Sequence, residues 1–295
     1  MLGNTIFFKA NDGVDLKGII YKSEKETKKI LISVHGMATN CIKYRDEVIA
    51  KEINKLGIDL LAFNNRGHDL INYIKKEEKE NEELSGTAFE DVYESYEDIL
   101  GTIKFVLDNN YKEIYIMGHS LGSTKVIYSY NKVLENNKDL CGYLKGILLL
   151  SLVDIPMSIK MYLKDKYAST VTYAKNMKKE GMENVLMPEY AFIHPMSVKT
   201  FLRYTTQNEN IDFARFSDQM YEYKELNNIK IPLFMRWGNN GELIIQEANE
   251  LCNNLKSKIK NEKLNIGYID GANHGYNEKE EELAKDICYF IKEIN

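Results

Sequence analysis

The feature that most constrains this chain is residues 113–122, Glu-Ile-Tyr-Ile-Met-Gly-His-Ser-Leu-Gly. Strand-forming Ile114 to Met117 run directly into Gly118-His119-Ser120-Leu121-Gly122, and a helix-favouring stretch over Ser123–Val133 follows. A strand, a Gly-x-Ser-x-Gly turn and a helix in that order are the local context of a nucleophile elbow. So tight a turn crowds the backbone around Ser120, and glycine at 118 and 122 removes the Cβ atoms that would collide. The serine hydroxyl is then presented at the top of a sheet, with the unpaired N–H groups and positive end of the helix directly behind it.

The rest of the chain repeats this strand-then-helix rhythm. Thr5–Lys9 and Leu16–Lys22 flank Asn11-Asp12-Gly13 and read as an antiparallel hairpin. Lys29–Val34 reads as a buried strand and 42–56 as a helix stopped by Gly57; Ile58–Phe63 is the next strand. Lys75–Glu83 is a charged run, read as solvated surface. Phe89–Leu107 carries Val92, Tyr96, Ile99, Ile103 and Val106 at helical spacing. Leu144–Val153 is nearly continuous in apolar residues, as a central parallel strand requires, and it ends at Asp154. The alternation resumes with a strand at Ile231–Trp237, a helix at Gln246–Ile259, a strand at Leu264–Ile269 and a terminal helix at Glu278–Ile294.

Between these parts, 155–228 breaks the rhythm and is rich in Met and Tyr; it reads as a mostly helical cap over the sheet edge. The expected architecture is therefore α/β: a doubly wound, mainly parallel sheet built from 1–154 and 229–295, with 155–228 as a helical cap insertion. In such sheets ligands sit beyond the C-terminal strand ends. His35, Ser120, Asp154, 239–242 and His274 all fall there.

Composition narrows the function. Net charge is −5 and five of the 39 basic residues are Arg, so nothing suggests a nucleic-acid partner. Cys41, Cys141, Cys252 and Cys288 form no CxxC pair, and His68 and His194 lack acidic or cysteine company at ligand spacing; neither a metal nor any other cofactor is expected. The N-terminus lacks a basic, then apolar leader, and no apolar run is long enough to span a bilayer, so the expectation is a cytoplasmic protein with no membrane insertion.

Taken together, His35-Gly36-Met37, Arg66-Gly67-His68, Gly118–Gly122 and Asn273-His274-Gly275 give the chain a resemblance to the α/β-hydrolase superfamily over nearly its whole length. Within it, Gly86-Thr-Ala-Phe-Glu-Asp and Ala174, Gly181 and Leu186-Met-Pro look like a branch of unknown-function hydrolases near the fungal siderophore ester hydrolases. The resemblance implies that Ser120 is the nucleophile and His274 its base, in the chain order serine, acid, histidine. It also implies an oxyanion hole formed by the backbone N–H groups of Met37 and Leu121. His119 is expected to point away from the nucleophile in a structural role.

The acid is open. Related hydrolases carry an Asp where this chain has Gly241; Glu242 lies one place later on a longer side chain, Asp154 follows the preceding strand, and Asp270 is a third choice. An arrangement with no acid, in which the backbone or the amide of Asn239 or Asn240 orients His274, also stands. The expected activity is hydrolysis of a small apolar or amphiphilic carboxylic ester. An amidase, thioesterase or peptidase would use the same parts, and a binding protein on a hydrolase scaffold is the rival from another class.

Overall fold

The structure is a computed structural model, described for residues 3–77, 80–206, 212–244 and 246–294. Residues 78 and 79 of the charged run and 207–211 of the expected insertion lie outside that set. The first two strands, β1 (Asn4–Lys9) and β2 (Asp15–Tyr21), form the expected hairpin, with Gly13 in the left-handed region at φ 86°. Next come β3 (Lys29–Val34), α1 (Tyr44–Ile53) and β4 (Asp59–Asn64). A short ribbon, β5 (Asn72–Ile74) with β6 (Glu83–Ser85), brackets the charged run, which the sequence reading took as plain surface. Then follow α2 (Ser95–Asp108), β7 (Glu113–His119), α3 (Leu121–Asn136) and β8 (Leu144–Leu150).

Four helices lie between β8 and the next strand among the described residues: α4 (Ile155–Leu163), α5 (Tyr167–Lys179), α6 (Val198–Thr205) and α7 (Lys224–Asn227). The chain closes with β9 (Leu233–Gly238), α8 (Ala248–Lys258), β10 (Leu264–Ile269) and α9 (Glu280–Ile294).

The main sheet has the order β1-β2-β4-β3-β7-β8-β9-β10. From β4 onward every neighbouring pair is parallel, and β1 and β2 join antiparallel at one edge. The two faces follow from the period-two alternation of the strands. Ile30, Ile32 and Val34 pack with Ile99, Ile103 and Val126 of α2 and α3, while Leu31 packs on the other face with Ile49 of α1 and Ile287 of α9. A strand buried on both sides needs apolar residues at both parities, which is why β3 and β8 read as continuous apolar runs. A third cluster joins Ile159, Ala174, Phe201 and Leu202 of the β8–β9 segment to Val92, Leu121 and Val153.

Among the boundaries that depart from expectation, three have a clear local reason. Helix α3 begins at Leu121, because Ser120 itself occupies the capping position and Gly122 is already helical. Helix α2 begins at Ser95, because the Asp91 carboxylate accepts from Tyr93 N–H and caps a 3₁₀ turn first. Strand β8 stops at Leu150, because Ser151 turns into the left-handed region at φ 46°. The Leu152 carbonyl is then taken by the Trp237 indole N–H at 2.9 Å.

Candidate active site

Ser120 sits between β7 and α3 with φ 56° and ψ −126°, a conformation unfavourable for a side-chain-bearing residue. Close packing holds it there. A Cβ on Gly118 would lie 2.4 Å from the Gly122 carbonyl oxygen, and one on Gly122 would lie 2.2 Å from the Val34 carbonyl oxygen. A Cβ on Gly36 would come within 2.9 Å of Ser120 Cβ. Three glycines thus let the β3 turn, the elbow and the first helical turn share one small volume.

That contact brings the turn after β3 beside the serine. Met37 and Leu121 flank Ser120 on one cavity, and among the described residues neither backbone N–H has a hydrogen-bond partner. Both are therefore free to donate to a developing oxyanion. The turn is braced from below. His35 Nε2 accepts from Asn65 N–H at 3.2 Å, so Nδ1 carries the proton and donates to the Gly36 carbonyl at 2.9 Å. Burial pushes the His35 pKa down to about 3, so the ring is neutral. Asn65 Oδ1 in turn accepts from the buried Lys125 ammonium at 2.9 Å, and Lys125 pairs with Glu90 at 2.5 Å.

His274 lies in the loop between β10 and α9 and lines the same cavity as Ser120. Its Nδ1 contacts Glu242 Oε1 directly. With Nδ1 so held, Nε2 is the ring nitrogen left to take a proton. The Glu242 carboxylate is almost fully enclosed and has four donors. Oε1 meets His274 and the Leu243 N–H at 2.9 Å; Oε2 meets the Gly238 N–H at 3.0 Å and the Ser151 hydroxyl at 2.7 Å. Burial alone would raise its pKa. The hydrogen bond and charge of His274, with Gly238 and Ser151, outweigh burial and hold it below the usual carboxylate value.

Of the expected residues, the structure brings Ser120, His274, Glu242, Met37 and Leu121 together. Asp154 is elsewhere: its carboxylate caps α4 by accepting from Met157 N–H at 2.9 Å. Asp270 accepts from Asn239 at 2.8 Å, so neither is the partner of His274 Nδ1. His119 lines the same cavity, and its Nε2 donates to the His274 carbonyl at 2.7 Å, a structural contact. Burial drives its pKa well down, so it packs as a neutral ring 5.1 Å from that of His274. His68 has an acidic neighbour after all, with Nδ1 2.8 Å from Asp69. Sequence reasoning missed Ser151 and Tyr276. The Tyr276 hydroxyl donates to the Arg236 carbonyl at 2.8 Å beneath the Glu242 loop. Ser151 had one available signal: it is the first polar residue after the apolar run of β8.

The cavity has a volume of about 410 Å³. Its apolar wall comes from Val153, Ile155, Phe192 and Ile193 of the β8–β9 segment together with Leu243. Lys43, Tyr44 and Arg45 at the start of α1 form another side.

The sheet order, the elbow and the loop histidine define an α/β-hydrolase. A family model described as "Serine aminopeptidase, S33" matches residues 25–151. A second, "Protein of unknown function (DUF1749)", matches residues 92–294, and the chain belongs to that family. No curated protein matches the chain in sequence. Solved structures share the fold at low identity. Est1E from Butyrivibrio proteoclasticus, solved with ferulic acid bound, is 15% identical with a TM-score of 0.66, covering 98% of each chain. The α/β hydrolase GrgF from Penicillium sp. sh18 is also 15% identical with a TM-score of 0.66, covering 99% of each chain. An esterase from Pyrococcus furiosus is 19% identical with a TM-score of 0.61, covering 99% of this chain and 90% of its own. Among the described residues no helix is long and apolar enough to cross a membrane.

Proposed function

We propose that this α/β-hydrolase cleaves small carboxylic esters through a Ser120–His274–Glu242 triad and an acyl-enzyme. The observation that carries the reading is that a strained serine, an acid-paired histidine and two unpaired backbone N–H groups border one cavity. Ser120 Oγ attacks the carbonyl carbon as His274 Nε2 takes its proton, and the oxyanion is held by Met37 and Leu121 N–H. The tetrahedral intermediate collapses, the C–O bond breaks, and the imidazolium returns the proton to the leaving alcohol. Water then attacks the acyl-enzyme with His274 again as base, which releases the acid and restores Ser120. Glu242 fixes the ring orientation and stabilises the imidazolium. The β8–β9 segment acts as a cap that covers the acyl or alcohol group and limits access of water. The apolar wall suits an apolar or amphiphilic substrate.

The match to a serine aminopeptidase model favours a second reading, an amidase or peptidase using the same groups. Two measurements test the proposal. A fluorophosphonate probe is expected to label the protein at neutral pH, and Ser120→Ala to abolish labelling. A panel of 4-nitrophenyl esters of increasing chain length, beside matching anilides, is expected to show ester turnover well above anilide turnover. Absence of labelling would point instead to a binding protein on this scaffold, and faster anilide cleavage to the peptidase reading.

A further inference from the structure

The charged groups on the cavity are unevenly accounted for. Burial keeps the lining histidines His35 and His119 neutral. Arg45 is engaged by Asp46, whose Oδ1 accepts from Nε at 3.2 Å and Nη2 at 3.1 Å. Glu280 begins α9 beside Glu281 and Glu282, where the positive end of the helix favours acidic side chains. Lys43 has no such explanation. It occupies the capping position of α1, makes no capping hydrogen bond, and puts a cation at a helix end that disfavours one. It is half-buried and lines the cavity; Asp46 and Asp69 act on its charge from a distance, but among the described residues its ammonium makes no ion pair or hydrogen bond. It shares that cavity with the His35-Gly36-Met37 turn and Ser120.

We propose that the cavity selects an ester carrying a carboxylate at one end, and that Lys43 binds that carboxylate. The apolar middle of such a molecule lies against Ile155, Phe192, Ile193 and Leu243. A single ammonium matches the single charge of a carboxylate. The fork-shaped guanidinium that favours phosphate is already taken by Asp46. In an acidic chain of net charge −5, an unpaired lysine inside the candidate cavity is the local exception that draws an anion in. The statement about reaction rests on the proposed esterase activity; the statement about binding does not.

The test therefore reads binding first. In the Ser120→Ala protein, titration calorimetry compares mono-4-nitrophenyl glutarate with 4-nitrophenyl pentanoate, which match in length and differ in charge. The glutarate ester is expected to bind about five- to tenfold more tightly, the gain of a partly desolvated ion pair, with the difference shrinking as salt is raised. Adding Lys43→Met is expected to bring the ratio to about one and Lys43→Arg to keep part of it. Lys51→Met, on the exposed side of α1, is the control that leaves it intact. Equal affinities, no binding of either ester, or a preference that survives Lys43→Met overturns the proposal. Turnover of 4-nitrophenyl pentanoate by the wild-type protein separately tests the esterase reading, so either idea can fail alone.

Discussion

The carboxylate of Glu242 shows why one residue, one place later than usual, can serve the histidine. Gly241 takes φ 70°, a conformation that suits glycine, and the loop then delivers Glu242 with one more methylene of reach. A carboxylate has roughly four lone-pair directions, and Glu242 meets four donors. Glutamine cannot accept on all four sides, because its NH₂ would face at least one donor or force the wrong His274 tautomer. Glu242→Gln is therefore expected to lower kcat by about 10²- to 10⁴-fold, the scale seen when a triad acid becomes an amide. Asp154→Asn, which keeps an oxygen acceptor at the helix cap, is expected to stay within about threefold in kcat and to change stability by less than about 0.5 kcal/mol. Steady-state kinetics and urea unfolding on the two variants check this, and the reverse ranking would move the acid to Asp154. At this scale the elbow and the loop histidine were legible, because their glycines and their order along the chain are sequence properties. The choice of acid was not, because it depends on how the 238–242 loop folds back on Ser151.

Between elements, buried polar links do what apolar packing cannot, which is to fix register near the site. Lys125 projects from α3, the helix behind Ser120, to Asn65 after β4 and Glu90 before α2. Asn65 holds His35 through both its backbone N–H and its amide. The Glu90 carbonyl accepts from Thr200 of α6 at 3.1 Å, and Asp91 pairs with Arg203 at 2.6 Å. One chain of bonds therefore runs from the His35-Gly36-Met37 turn to the helices between β8 and β9. Burial pushes the Glu90 carboxyl above the usual range even with Lys125 pulling it down, so the pair is tense. Lys125→Met is expected to cost roughly 3–5 kcal/mol by leaving Glu90 without its partner, and adding Glu90→Gln to recover much of it. Denaturant titrations of the two single variants and the double variant measure the coupling; additive losses would count against it. The strands and most helices were legible from apolar periodicity. This link was not, since nothing in the sequence marks a lysine inside a helix as buried. The β5–β6 ribbon was hidden in the same way, its three-residue strands being shorter than any period can reveal.

For the molecule as a whole, the question is whether the helices between β8 and β9 melt with the sheet or apart from it. Their cluster includes Leu121, the residue next to the candidate nucleophile, and Val92 ahead of α2, so it has no separate floor. Phe201 at its centre is fully buried. Across the molecule, the one tryptophan, Trp237, is fully buried in β9, and its indole is bonded to Leu152. Its fluorescence therefore reports the sheet and the Phe216 ring packed edge-on against it, while Phe201→Ala removes packing from the separate cluster of α4, α5 and α6. Truncating a buried phenylalanine costs about 3–5 kcal/mol. If the two parts share one transition, that loss shifts the Trp237 midpoint in denaturant as far as the midpoint seen by far-ultraviolet circular dichroism. If the helices form a unit of their own, the circular dichroism curve becomes biphasic and the Trp237 midpoint stays where it was. The shared floor at Leu121 and Val92 and the bonds from Ser197, Thr200 and Arg203 to the 88–91 segment favour the first outcome.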